Sequence, residues 1–188
     1  VVLPLAGHGE QAYRMAQQAG APQPLRKQIW ARLVRHKIAA QAAVLDHIGC
    51  ASERVARLSF AVRSGDPDNR EGQAAQAYWP LLLGKSFRRD RDQEGANALL
   101  NYGYAVLRAA TARAIVSSGL HPSLSVHHKS GGDPLALADD LMEPFRPTID
   151  LHVHRALHAG IVTVPDARRD LVGTLGALFD TDHGISPL

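Results

Sequence analysis

Two long stretches constrain what this chain can fold into. Residues 25–48 and 96–118 each keep helical spacing over roughly six turns, and each runs into a glycine, Gly49 and Gly119. In the first, Ile29, Leu33, the turn at 37/38 and Gln41 recur on one side; the second is rich in alanine and leucine, both strong helix formers. Shorter segments agree. Residues 8–19 form a helix before Gly20, "SERVARLSFAVRSG" has a Ser52 cap with Val55, Leu58 and Val62 on one side, "REGQAAQAYWPLLLG" is helical to about Pro80, and "DARRDLVGTLGALF" supplies a last helix. Alternation of apolar and polar residues never persists long enough for a sheet. The expected fold is all-α, with residues 1–7, "VVLPLAG", as an extended lead-in.

At 188 residues the chain suffices for one well-buried domain. Cys50 is the single cysteine, which excludes an internal disulfide and any multi-cysteine metal site and fits a reducing cytoplasm. No run approaches about 18 apolar residues, so no membrane span is expected. The net charge of +3 and pI near 9.3 permit nucleic-acid binding without requiring it. The start at Val1-Val2, without an initiator methionine or signal pattern, suggests a piece of a longer protein.

"LALADDLMEPFRPTID" (135–150) is the unusual segment. At 100° per residue Leu137, Leu141 and Phe145 face one way, while Asp139, Asp140, Glu143 and Arg146 share another side. Asp133 and Pro134 read as N-cap and first helical position. Pro144 and Pro147 then fall inside, freeing the carbonyls of Asp140 and Glu143 and kinking the helix at Pro147 before it continues through "LHVHRALHAG". The acids form either a solvated face of an amphipathic helix or a metal or catalytic pair.

Candidate companions exist. His127 and His128 lie in the loop just before, where Gly131 and Gly132 allow a sharp return. An imidazole with two nearby carboxylates suits Mn²⁺ or Mg²⁺; solvated loop histidines are the simpler alternative. Glu71, three residues after Asp68, has capping-box spacing, and Gly72 beside it permits close approach of backbone or ligand. A rival set, Asp150, His152, His154 and His158, has two histidines one turn apart that suit zinc but lacks the glutamate of an HExxH helix. Basic residues recur along the second helix (Arg26, Lys27, Arg32, Arg35, Lys37) and at Arg88, Arg89 and Arg91; either they track phosphates or they are solvated surface. Lys129 adds a charge beside the loop histidines. Tyr102 and Tyr104 sit at core-like helical positions. Serine-hydrolase, P-loop and dinucleotide signatures are absent.

Taken in order, "LPLAGHGEQAYRMAQQ", "LRKQIWARLVRHKIAAQA", "NREGQAAQAYW", "ANALLNYGYAVL" and "GLHPSLSVHHKSGGDPLALADDLMEPFRPTID" strongly resemble the CRISPR-associated integrase family, the Cas-one endonuclease of spacer acquisition, over nearly the whole chain. The likeness is greatest to forms from systems with a single large effector nuclease. The family joins an N-terminal β domain to a helical catalytic domain, and residues 1–188 look like the latter alone, a fragment lacking the β domain.

The resemblance implies a metal site of Glu71, His128, Asp140 and Glu143, with His127, Asp139 and Lys129 beside it or facing phosphate; Arg88, Arg89 and Arg91 join Lys129 as candidates toward DNA on their charge alone. A divalent cation would then neutralise the repulsion of the gathered acids. One departure is Ser125, where the family usually has glycine. Also implied are a Mg²⁺- or Mn²⁺-dependent endonuclease and integrase that inserts short foreign DNA segments into a CRISPR array by 3′-hydroxyl attack on a phosphodiester. The expected partners are double-stranded or branched DNA, a second copy of the chain and a small ferredoxin-like adaptation nuclease. The alternatives are a non-catalytic helical DNA-binding scaffold and a zinc hydrolase using His152, His154 and His158.

Overall fold

The structure, a computed structural model, describes residues 10–90, 92–128, 131–176, 178–181 and 184–187. The expected lead-in at 1–7, Arg91 and Lys129 lie outside the described residues. The fold is helical. Helix α1 spans Gln11–Ala19, α2 Gln23–His47, α3 Glu53–Phe60, α4 Arg70–Leu83 and α5 Ala96–Ser117. Then come α6 Ala136–Leu141, a 3₁₀ turn Glu143–Phe145, α7 Arg146–His158, α8 Val164–Gly173 and a second 3₁₀ turn Thr174–Gly176. Among the described residues no helix is long and apolar enough to cross a membrane.

The long helix α2 is the spine. Its buried stripe is Trp30, Val34, Ile38, Gln41 and Leu45, a rotation of about one residue, or 100°, from the Ile29 and Leu33 side that periodicity favours; Ile29 is exposed. Trp30 accounts for the shift, because the large aromatic is nearly inaccessible to solvent and takes the core side with it. Against α2 pack α3 and α4, closing a core of Trp30, Leu45, Val55, Tyr78 and Leu82. Pro80 lies inside α4, which runs on to Leu83 instead of stopping at the proline. Ser52 stands at the start of α3, yet its hydroxyl donates to Asp46 Oδ1 (2.5 Å) and caps nothing.

A second core joins α5, α7 and α8 through Leu99, Leu100, Leu107, Ile149, Val153 and Leu171. Gly103 makes this possible, since a Cβ there would overlap the Ile149 methyl. The two cores meet where α2 lies against α7 and the 3₁₀ turn preceding it.

The acidic segment is arranged differently from the expectation of one proline-kinked helix. Leu135, not Asp133, stands before α6, and Asp133 Oδ1 accepts the Leu135 amide (2.9 Å) in a local turn. The chain breaks at the 3₁₀ turn around Pro144; Pro147 falls in the first turn of α7, where a proline loses no helical hydrogen bond. At the C-terminus the expected last helix stops at Gly173, and a two-stranded antiparallel hairpin follows, β1 Leu178–Thr181 with β2 Gly184–Pro187, Leu178 opposite Pro187. Gly173 and Gly176 weaken helix propagation there, and strands this short carry too little alternation to be read as sheet.

Candidate active site

Glu71 is held at the first turn of α4. Asn69, in the left-handed region (φ 50°) that asparagine tolerates better than most residues, precedes that helix and accepts the Gly72 amide (3.0 Å). Asp66 accepts the amides of Arg70 (2.8 Å) and Glu71 (3.0 Å). The capping box expected between Asp68 and Glu71 is therefore absent: Asp68 binds Arg63 (2.8 Å), and Asn69 and Asp66 satisfy the helix end. Glycine at 72 leaves room for the Asn69 side chain, which a Cβ would meet at 2.6 Å. The Glu71 carboxylate is thereby released from capping.

On the opposite side, Asp140 is wholly inaccessible to solvent. Its Oδ2 accepts the amides of Val126 (2.6 Å) and His127 (2.9 Å), and its Oδ1 stands 2.5 Å from His128 Nδ1. Burial alone would raise the Asp140 carboxyl, but hydrogen bonds from His128, His127 and Val126 outweigh it and hold the group below the usual carboxylate range. The Asp140 hydrogen bond likewise raises His128 above its ordinary value, against the opposing effect of burial. Ser125 donates to the His128 carbonyl, so the departure from glycine fastens the loop. Asp140, one of the expected metal ligands, thus turns its oxygens to the loop amides and to His128. With Nδ1 turned to the carboxylate, Nε2 is the ring nitrogen left for a cation.

Lys37 joins the two sides. Its Nζ lies 2.5 Å from Glu71 Oε1 and 2.5 Å from Glu143 Oε2. The second contact is an ion pair without directed hydrogen-bond geometry, leaving the buried Glu143 Oε2 unsatisfied in that sense. Arg146 Nε approaches Glu143 Oε1 to 2.9 Å. Burial is the largest influence on Lys37 and works to lower it, but the charges of Glu143 and Glu71 together prevail and raise it, so the ammonium stays charged.

A cavity of about 580 Å³ opens beside His128 and Glu143, with Arg89, Arg108, Arg146 and Tyr104 in its wall. Arg146 lies over the Tyr104 ring (4.5 Å), and Arg89 is 5.5 Å from the same ring. Arg89 is fixed by Asn97 (2.9 Å) and Asn101 (2.6 Å). Beneath them Asp150 is buried between Tyr78 (3.2 Å) and Tyr104, and burial pushes its carboxyl up to about 7 against the lowering influence of the two hydroxyls, Lys37 and Arg146.

The structure redistributes the remaining expected residues. Asp139 turns away from the Glu71–Glu143 pair and binds Arg108 in bidentate fashion (2.7 and 2.9 Å), with Asp133 on the same guanidinium (2.6 Å). His127 stacks flat on Trp30, centroids 4.1 Å apart, and burial lowers its pKa. Arg88 folds back onto the Lys85 and Phe87 carbonyls. The zinc alternative does not assemble: Asp150 faces the tyrosines and His154 Nδ1 bonds the Leu82 carbonyl (2.9 Å), although His154 and His158 rings are 4.3 Å apart. The sequence marks Lys37 only as one basic residue among several along α2 and Arg146 only as sharing the acidic side of its segment, while Arg108 carries no local signal; the one hint of Lys37's place is that it precedes Ile38 on the side of α2 that turns inward.

Among the described residues no three His, Cys, Asp or Glu side chains are gathered closely enough to hold a metal ion as they stand. The donor chemistry nevertheless fits a hard divalent cation: two carboxylates already share one cationic head, and a carboxylate-oriented imidazole lies nearby.

This helical architecture is shared with solved structures. A casposase bound to integration product superposes with a TM-score of 0.78 at 22% identity, over 95% of this chain and 64% of that one. A chain from a partial Cas6-RT-Cas1–Cas2 complex gives 0.69 at 19% identity, over 91% and 61%. The family described as CRISPR associated protein Cas1 matches residues 1–175, and the chain belongs to it. The CRISPR-associated endonuclease Cas1 of Neisseria meningitidis serogroup C (strain 8013) is 42% identical over 178 residues, covering 92% of this chain and 58% of that protein. The chain thus spans somewhat over half the length of that relative.

Proposed function

We propose that this chain is the helical catalytic lobe of a Mg²⁺- or Mn²⁺-dependent DNA endonuclease and integrase, inserting short foreign DNA segments into a CRISPR array by attack of a DNA 3′-hydroxyl on a phosphodiester. The observation that carries this reading is the meeting of Glu71 and Glu143 on a single cationic head beside His128, itself oriented by buried Asp140. The Cas1 relatives and the casposase neighbour support it.

Glu71, Glu143 and His128 would hold the metal, with Asp140 setting the tautomer and direction of His128. When bound, the metal polarises the phosphate and stabilises charge on the entering or leaving oxygen. Arg89 and Arg146, steadied over Tyr104, seat the strand backbone in the cavity and bring the phosphodiester to the ligands. Water in place of the 3′-hydroxyl makes the same residues a nuclease.

Integration also requires two 3′ ends delivered at a set spacing, a positional demand that one site does not meet. A second copy of the chain and a small ferredoxin-like adaptation nuclease fill that role in this reading, and the Cas1–Cas2 complex among the structural neighbours agrees with it. The array DNA places the reaction in the cytoplasm.

The test is nicking and strand transfer of labelled branched DNA with Mn²⁺. Metal-dependent cleavage that disappears in Glu143→Gln supports the assignment. Cleavage that persists in EDTA or in that variant overturns it, and DNA binding without metal-dependent cleavage selects a non-catalytic scaffold instead.

A further inference from the structure

Among the basic side chains along α2, Lys37 enters the acid cluster. Arg35 donates to the Val62 carbonyl (2.7 Å) on the other side of the helix, whereas the Lys37 side chain is 14% exposed and ends between carboxylates from two distant parts of the fold. Glu71 comes from the start of α4, and Glu143 from the break between α6 and α7. A lysine head withdrawn from water is costly unless paired, and two half-buried or buried glutamates facing one another repel unless a cation stands between them. Each group answers the other's need. Glu143 Oε2 nonetheless lacks a directed hydrogen bond, so the ammonium satisfies its charge but not its geometry.

We infer that Lys37 is a positioning residue that serves as the site's internal counter-cation: its ammonium sets the Glu71–Glu143 spacing in the metal-free protein, and a divalent cation enters by exchanging with it. This rests on the metal reading above. The exchange is balanced in kind, since a dication replaces a monocation between two carboxylates while the released ammonium turns toward the cavity side, where an anionic strand would lie. The fold thus keeps its acid pair assembled before metal arrives, and metal binding is opposed by a competitor built into the chain.

The consequence separates this role from a purely structural one. Lys37→Met keeps the aliphatic stem and deletes the charge. In EDTA at pH 8 the variant melts at a lower temperature than the parent, and saturating Mn²⁺ restores it. In calorimetric titration the variant binds Mn²⁺ more tightly than the parent by at least about fivefold, the low end of coupling between competing ligands. A structural lysine would give the opposite sign in affinity, the same loss of stability accompanied by weaker binding. Should Lys37→Met fail to fold, the parent supplies the readout: acylation of Lys37, mapped by mass spectrometry against Lys85, rises when Mn²⁺ is added. Equal Mn²⁺ affinity in parent and variant, weaker binding by the variant, or Lys37 labelling indifferent to Mn²⁺ overturns the inference alone. Absence of Mn²⁺ binding in both proteins overturns the metal reading and this inference with it.

Discussion

His128 Nδ1 stands 2.5 Å from Asp140 Oδ1, and the same carboxylate takes the amides of Val126 and His127. One buried acid therefore fixes both the backbone of the loop and the ring at its end. Removing it should cost metal binding without removing a ligand. Asp140→Ala is expected to weaken Mn²⁺ binding by about 10- to 100-fold, the usual penalty for losing the partner that orients a metal-binding histidine. Titration calorimetry decides it, and parental affinity in the variant would mean that His128 is oriented by something else.

Glu71 carries the corresponding burden on α4. Glu71→Gln keeps its size and removes the charge facing Lys37. Mn²⁺-dependent nicking should fall by about 10²–10³-fold, the scale expected when one electrostatic contributor to a transition state is deleted. DNA binding should hold or strengthen, since a negative charge has been lost beside a phosphate path. A variant that nicks at the parental rate would remove Glu71 from the ligand set.

Arg89 is presented by Asn97 and Asn101 at the cavity wall. If it meets a phosphate, Arg89→Ala reduces the slope of log affinity against log salt by about 1, while weakening binding evenly across DNA sequences. Fluorescence anisotropy at several salt concentrations measures this. An unchanged slope would place the strand elsewhere.

Asp150 makes stability depend on pH. Its carboxyl is raised to about 7 in the folded protein, chiefly by burial, so between the ordinary carboxylate range and pH 7 the native state holds a proton that the unfolded chain has released. Stability from this group is greatest at low pH and declines as pH rises through that window, with the penalty complete above it. Asp150→Asn cannot ionise and should flatten the decline, making the gap in melting temperature between pH 5 and pH 8 smaller than in the parent. Equal gaps would show that Asp150 is ionised throughout.

Gly103 lets α5 and α7 approach until only a hydrogen fits against Ile149. Gly103→Ala improves helix propensity by up to about 1 kcal/mol but overpacks the contact at a cost of about 1–3 kcal/mol. The net expectation is a lower melting temperature, and Gly103→Ala with Ile149→Leu, which removes the Cγ2 branch that the new methyl meets, should recover part of it. A stabilised single variant would contradict the close approach.

Much of this was legible in the chain itself. Helix content, the stops at Gly49 and Gly119, and the gathering of Asp140, Glu143, His128 and Glu71 as candidates all followed from periodicity, turn residues and family resemblance. Helices are encoded locally, because each backbone hydrogen bond closes over four residues and the residues that begin or end it are neighbours. Even so, local spacing placed the α2 stripe one residue away from where Trp30 turned it, and it ran the acidic helix through a break that the 3₁₀ turn at Glu143–Phe145 makes.

What only the tertiary structure decided is the employment of each charge. Asp139 and Asp140 are adjacent and chemically identical, yet a rotation of 100° sends one to Arg108 on α5 and buries the other beneath the histidine loop. Lys37 is one basic residue among several on α2, and its partner Glu71 lies 34 positions away. Which carboxylate meets which cation is settled by how whole helices pack, at distances along the chain over which local periodicity carries no information.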